Sequence, residues 1–234
     1  MSNLVKSIVI LITFIVSHMF MKELWGDTWS AQLLGLDGET YILHSLVSRL
    51  FIYGPFLVIT LILFKDTDWL EITGLKLKGV MYYLGAALVC CAIMVVGYAL
   101  ISTEANYDIP TIITSSVYPA FFEEMVFRAV LFGVLFRFCG WGFVPAALVS
   151  SLIFGVGHLY QSNDLSSAIM LMAFMAVAGS WFAWLYCECN YRIWFPMWMQ
   201  FIMNASYGVF NMSGGAMGDL HGNLFKATAI ILSI

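Results

Sequence analysis

Residues 79–101, GVMYYLGAALVCCAIMVVGYALI, run from end to end without a charged side chain. A helix needs about 20 apolar residues to cross the hydrocarbon core of a bilayer. Such a segment leaves few folds open, because inside lipid every backbone N–H and C=O must find its partner within the protein. The same pattern recurs at 4–22, 46–64, 112–138, 143–160, 166–187, 193–211 and, more briefly, at 224–234. Seven or eight spans are expected. Continuous apolar character over these lengths excludes the alternating strands of an outer-membrane barrel. The expected fold class is all-α, a polytopic transmembrane helical bundle with a buried polar site, forming one integral membrane domain over residues 1–234.

Composition points the same way. Of 234 residues, 62% are hydrophobic and 10% charged, against about a quarter charged in an ordinary soluble domain. The remaining stretches are too short for a separate soluble domain. No basic cluster suggests a nucleic-acid partner. Cysteines 90, 91, 139, 187 and 189 are odd in number, and two lie inside an apolar run, which reads as free thiols. Cys187 and Cys189 lack the second pair a metal site would need. The first segment, LVKSIVILITFIVSHMF, is followed by MKELWGDTW with no small-residue cleavage site, so a retained first span is expected.

Lysines and arginines set the expected orientation. With the N-terminus in the cytoplasm, inner ends carry Lys6, Lys65, Lys76, Lys78, Arg137 and Arg192, and outer ends only Lys22 and Lys226. Residues 23–45, with Trp25 and Trp29, read as an interfacial helix or loop on the outer side. KDTDWLEITGLKLK, residues 65–78, reads as an amphipathic segment on the inner surface. No internal repeat supports an inverted-repeat transporter.

Against this background FFEEMVFRAVLF, residues 121–132, is anomalous. A charge at the centre of a bilayer costs about 3 kcal/mol or more, so an ionisable group there marks a functional site by default. On an α-helix Glu124 and Arg128 share a face and can pair. Glu123 projects about 100° away and can address another partner. In the next span His158 follows Phe154 by one turn, and Gly155 and Gly157 would let another helix approach closely. In IWFPMWMQFIMNASYGVF, Gln200 and Asn204 are four apart, with Pro196 at a kink or in a first turn.

Three helices can thus bring a carboxylate, an imidazole and two amides into one pocket. A glutamate can take a proton from water, and a histidine can position or share it. Amide groups can stabilise an oxyanion developing on a carbonyl. A Glu/His set can also hold a divalent metal that acidifies the water. Taken singly, each group has a plainer role: a Glu–Arg pair as structural glue, His158 as a packing histidine, Gln200 and Asn204 as interhelical hydrogen-bond partners. His18, His44 and His221 lie near span ends or in loops, join no such group, and read as structural. Glu188 reads as a solvated loop carboxylate.

Glu123-Glu124-Met-Val-Phe-Arg128 resembles the EExxxR motif of the CPBP family of intramembrane proteases. That family includes CAAX prenyl endopeptidases and bacteriocin-processing or self-immunity (Abi-type) proteins. Phe154-Gly-Val-Gly-His158 resembles its FxxxH motif, and the stretch from Gly179 to Asn204 resembles the approach to its final HxxxN motif. The resemblance covers residues 112–210, a protease-like core. It implies a peptide or protein substrate at the membrane, with Glu123 as general base and Glu124 and Arg128 supporting it. His158 would help activate the water, and Asn204 would line the oxyanion site. One position departs: Gln200 stands where the family usually has histidine. Glutamine still donates a hydrogen bond but is a poor metal ligand.

The resemblance leaves open whether a divalent ion such as zinc is held, with Glu123 and His158 as its candidate ligands, or none. It implies an integral protein of a bacterial inner membrane. Prenylation of the substrate and oligomeric state stay open. Two other readings accompany it: an inactive membrane scaffold or immunity-type binding protein, supported by Gln200, and a small proton-coupled carrier, which lacks the expected path of ionisable groups.

Overall fold

The computed structural model describes residues 1–21, 40–212 and 220–234, and the described residues form helices joined by turns and short irregular stretches, without strands. α1 is Asn3–Ile15, continued by the wide turn Val16–Phe20. α2 is Tyr41–Leu63, α3 the single turn Trp69–Ile72, and α4 Val80–Ile101. α5 spans residues 109–138 as consecutive segments of different pitch. α6 is Phe143–Val156, α7 Leu165–Glu188, α8 Trp194–Val209 and α9 Leu220–Leu232.

Eight of these helices stand where spans were expected. Three of them, α2, α4 and α7, are long and apolar enough to cross a membrane by length and composition alone. The others are shorter or, like α5, carry charges in their apolar run. Of the segment expected as an interfacial element at 23–45, residues 41–45 belong to α2, and the stretch up to residue 39 lies outside the described residues.

Short polar side chains set the helix starts. Asp108 caps α5 by accepting from Thr111 N–H, with Pro110 in the first turn. Asp164 and Ser167 form a reciprocal capping box at α7. Pro196 lies in the first turn of α8 rather than at a kink. Outward faces are apolar: Leu100 is 80% exposed and Val89 71%. A soluble protein rarely leaves so much apolar surface in one belt, and lipid is the solvent that suits it.

Two apolar clusters form the interior. One gathers around the second half of α5, with Phe14, Phe56, Val130, Phe132 and Tyr186. The other joins α4, α7, α8 and α9 through Cys91, Met94, Tyr98, Met199 and Ala229. The first half of α5 packs on α8, and its second half packs on α1, α2, α6 and α7. α5 is therefore the element that joins the clusters. α6 and α7 lie close because Gly179 leaves room for Ser151, and Gly155 for Met172 and Met175. The close approach expected from Gly155 is thus made by α7.

The segment 65–78 crosses one end of the bundle. Ile72 is buried and Trp69 exposed, the amphipathic split expected of it. Arg137 on α5 holds it by donating to Glu71 Oε1 at 2.6 Å and to the Glu71 carbonyl at 3.2 Å. The same guanidinium lies 4.1 Å from the Tyr191 ring centroid, in a turn where Tyr191 has φ +58°. That backbone region is strained for a bulky residue, and the stacked arginine helps hold it. All five cysteines are free.

Candidate active site

From Glu124 onward α5 is not the regular α-helix expected. Its turns widen so that N–H groups reach back five residues, as Gly133 N–H does to the Arg128 carbonyl. Gly133 makes room: a Cβ there would meet Arg128 O at 3.1 Å and Tyr186 Oη at 3.0 Å. Ser150 on α6 donates to the Phe127 carbonyl at 2.8 Å, satisfying a backbone group of the widened stretch. All nine side chains of Glu124–Phe132 are buried. Helices surround this stretch, so its charges have no route to water of their own.

Glu124 and Arg128 do pair, Nε to Oε1 at 3.3 Å, with 0% and 3% of their residue surfaces exposed. The contact is an ion pair without hydrogen-bond alignment. Among the described residues both Glu124 oxygens and Arg128 Nε and Nη1 have no hydrogen-bond partner. The guanidinium is instead sandwiched by aromatic faces, 4.8 Å from the Phe154 centroid and 5.1 Å from that of Phe182. Charge attraction and cation–π contact offset its desolvation.

Glu123 points elsewhere, as its position predicts. It is half-buried, and Gln200 Nε2 on α8 donates to its Oε2 at 2.8 Å. This bond crosses from one apolar cluster to the other. Gln200 is 8% exposed, and its Oε1 has no hydrogen-bond partner among the described residues. Asn204 follows one turn later on α8 and is half-buried.

His158 lies just past the end of α6, which stops at Val156, rather than inside a helix. Its ring packs on Phe154 at 4.5 Å between centroids, and Nδ1 lies 3.0 Å from the Phe154 carbonyl. A carbonyl partner requires the proton on Nδ1, which leaves Nε2 as an acceptor. Phe154 therefore touches both Arg128 and His158. Among the described residues no hydrogen bond joins His158 or Asn204 to Glu123.

Three residues outside the motifs adjoin this region. Arg49 and Tyr53 lie four apart on α2. Arg49 Nη2 donates to the Thr114 carbonyl of α5 at 2.9 Å, and Nη1 bonds both the carbonyl and hydroxyl oxygens of Ser45. Tyr53 is buried, lies in the field of Glu123 and Arg49, and stacks on Phe122 at 6.4 Å. An arginine inside an apolar run, with Ser45 and Tyr53 at four-residue intervals, was the available sequence signal. His18 stacks on Tyr53 at 5.8 Å and is tied to this region rather than isolated at a span end.

Among the described residues no three His, Cys, Asp or Glu side chains come together as a metal-binding set. Glu123 already accepts from an amide, and glutamine adds a weak ligand where a histidine would have added a good one. The residues present do not fit a resident divalent ion held by Glu123 and His158.

Residues 105–206 match the family model described as Type II CAAX prenyl endopeptidase Rce1-like. A stretch of 93 residues is 37% identical to the "Putative membrane peptidase YdiL" of Bacillus subtilis (strain 168). That match covers 40% of this chain and 34% of the relative, so the chain spans about a third of the curated protein it matches. No solved structure matches the chain.

Proposed function

We propose that the core of this chain, residues 105–206, belongs to the CPBP family of membrane proteases and that the chain is an intramembrane endopeptidase acting through Glu123, a reading supported by the family model and the relative it matches. The observation that carries this reading is the Gln200–Glu123 bond. It holds one half-buried carboxylate in place beside a second carboxylate that is sealed against Arg128.

Glu123 takes a proton from a water molecule, whose oxygen adds to the carbonyl carbon of the substrate peptide. The tetrahedral oxyanion collapses, the C–N bond breaks, and the proton passes to the departing amine. Gln200 spends one amide hydrogen on Glu123 and keeps the other, so Gln200 and Asn204 supply donors to the oxyanion. His158 Nε2 accepts a hydrogen bond from the attacking water. Glu124 and Arg128 hold the widened helix and its charge balance. No step passes through a metal. The substrate is a peptide within or beside the bilayer, and the chain sits in a bacterial inner membrane with its N-terminus in the cytoplasm, as the six inner and two outer basic residues favour.

The test is to map protein termini by mass spectrometry in membranes carrying the native chain or Glu123→Ala. Termini that appear only with the native chain establish proteolysis and name substrates. Identical termini, with both proteins folded at equal levels, favour the second reading: a scaffold that binds peptides, for which Gln200 is the supporting departure.

A further inference from the structure

A proline shapes the approach of α5 to Glu123. Pro119 lies inside the helix, where it offers no N–H and its ring crowds the preceding turn. The helix widens just before it, over Ile113–Val117, and Tyr118 N–H reaches back five residues to the Ile113 carbonyl. The Thr114 carbonyl is thereby left without a donor from its own helix. An α-turn would give it Tyr118 N–H, which is spent, and a wide turn would give it the N–H of residue 119, which proline lacks. Thr114 is 5% exposed, so bulk water does not stand in. Arg49 of α2 supplies the donor, Nη2 to Thr114 O at 2.9 Å.

The guanidinium is itself held. Nη1 donates to the Ser45 carbonyl at 3.1 Å and to the Ser45 hydroxyl, and the Tyr118 ring centroid lies 5.5 Å away. One turn further along both helices, Tyr53 stacks on Phe122 at 6.4 Å. These two rungs bracket Pro119, and the second ends at the residue before Glu123. An apolar side chain at position 49 would avoid the cost of a cation in an apolar run, but it would orphan a buried carbonyl.

We propose that Arg49 is a positioning residue of the active site: by satisfying the carbonyl that Pro119 orphans, it fixes α5 against α2 and so sets where Glu123 meets Gln200. This inference rests on the protease reading for its kinetic consequence but not for its bonding.

The test is a double-mutant cycle between Arg49→Met and Pro119→Ala. With a substrate named by the termini, Arg49→Met should lower kcat about tenfold while KM stays within about twofold. In the Pro119→Ala background residue 119 regains an N–H, the Thr114 carbonyl gains a donor from its own helix, and the same change should cost less than about twofold. Arg49→Lys, which keeps one donor, should recover most of the loss. The chain has three glutamines, so nitrogen-labelled glutamine resolves the Gln200 side-chain amide by NMR in detergent. That resonance should move in Arg49→Met and return in the double variant. A native kcat and resonance in Arg49→Met, a loss carried by KM, or a loss equally large in the Pro119→Ala background would each overturn the proposal. If the native chain cleaves nothing, the protease reading fails and the Gln200 resonance alone decides the role of Arg49. Should Arg49→Met not fold, it must fold in the Pro119→Ala background, and failure to do so overturns the proposal equally.

Discussion

Glu124 is sealed at 0% exposure against Arg128, whose guanidinium lies over two phenylalanine rings, whereas Glu123, one residue earlier, is half-buried and held by an amide from another helix. One step along α5 separates a carboxylate that water cannot approach from one that it can. The first is useful only as a counter-charge, because proton transfer needs room for a water and a substrate. The second has a fixed orientation, a neighbouring donor set and an open side. Two adjacent carboxylates can therefore hold different roles without competing, since environment rather than residue type assigns the task.

The sharpest way to break this comparison is at Glu123. Glu123→Ala should abolish hydrolysis, leaving expression and thermal unfolding nearly unchanged, because a half-open site loses only one hydrogen bond. Retained activity in membranes would move the base elsewhere. At Glu124 the opposite balance is expected. Glu124→Ala leaves Arg128 buried and uncompensated, which costs about 3–5 kcal/mol and should appear as a large fall in Tm or in folded yield. The double change Glu124→Leu with Arg128→Met should recover most of that stability, because apolar replacements of similar volume remove the need for compensation. A Glu124→Ala protein as stable as the native chain would mean that water reaches the pair after all.

A smaller effect is expected at the partner of Glu123. Gln200→His places a ring nitrogen donor near the amide it replaces, so activity should be preserved or raised when followed with the same substrate. Loss of activity would mean that the pocket is built around glutamine. The smallest effect lies outside the site and calibrates the others. The backbone N–H of Ser167 holds the Asp164 carboxyl below the usual carboxylate range. A depressed carboxyl contributes stability above its ordinary range and loses it as pH falls through the folded value. The Tm of the native protein should therefore fall slightly on acidification through that window, and that part of the fall should be missing in Asp164→Ala.

Much of this was legible in the order of residues. Apolar runs located eight helices because a helix satisfies its own backbone and needs only length and composition to be read. The separation of Glu123 from the Glu124–Arg128 pair was legible too, since it follows from neighbouring positions on one helix. The widening of α5 was not: Glu124–Phe132 reads as an ordinary apolar run, and only the fit of Gly133 against Tyr186 and of Ser150 on the Phe127 carbonyl makes room for it. His158 was placed inside a helix that in fact ends two residues earlier. His18, Arg49 and Tyr53 were passed over because spacing along one helix carries no information about which other helix it will face.

Local pattern, then, settled that the chain is a bundle of membrane helices and which of its residues are chemically out of place there. Packing decided the company those residues keep: Glu123 with Gln200, Arg128 with Phe154 and Phe182, His18 with Tyr53. The reason is physical. A helix closes its hydrogen bonds within a few residues of sequence, but a buried charge or imidazole finds its partners on segments far along the chain, and those meetings exist only once the helices have packed.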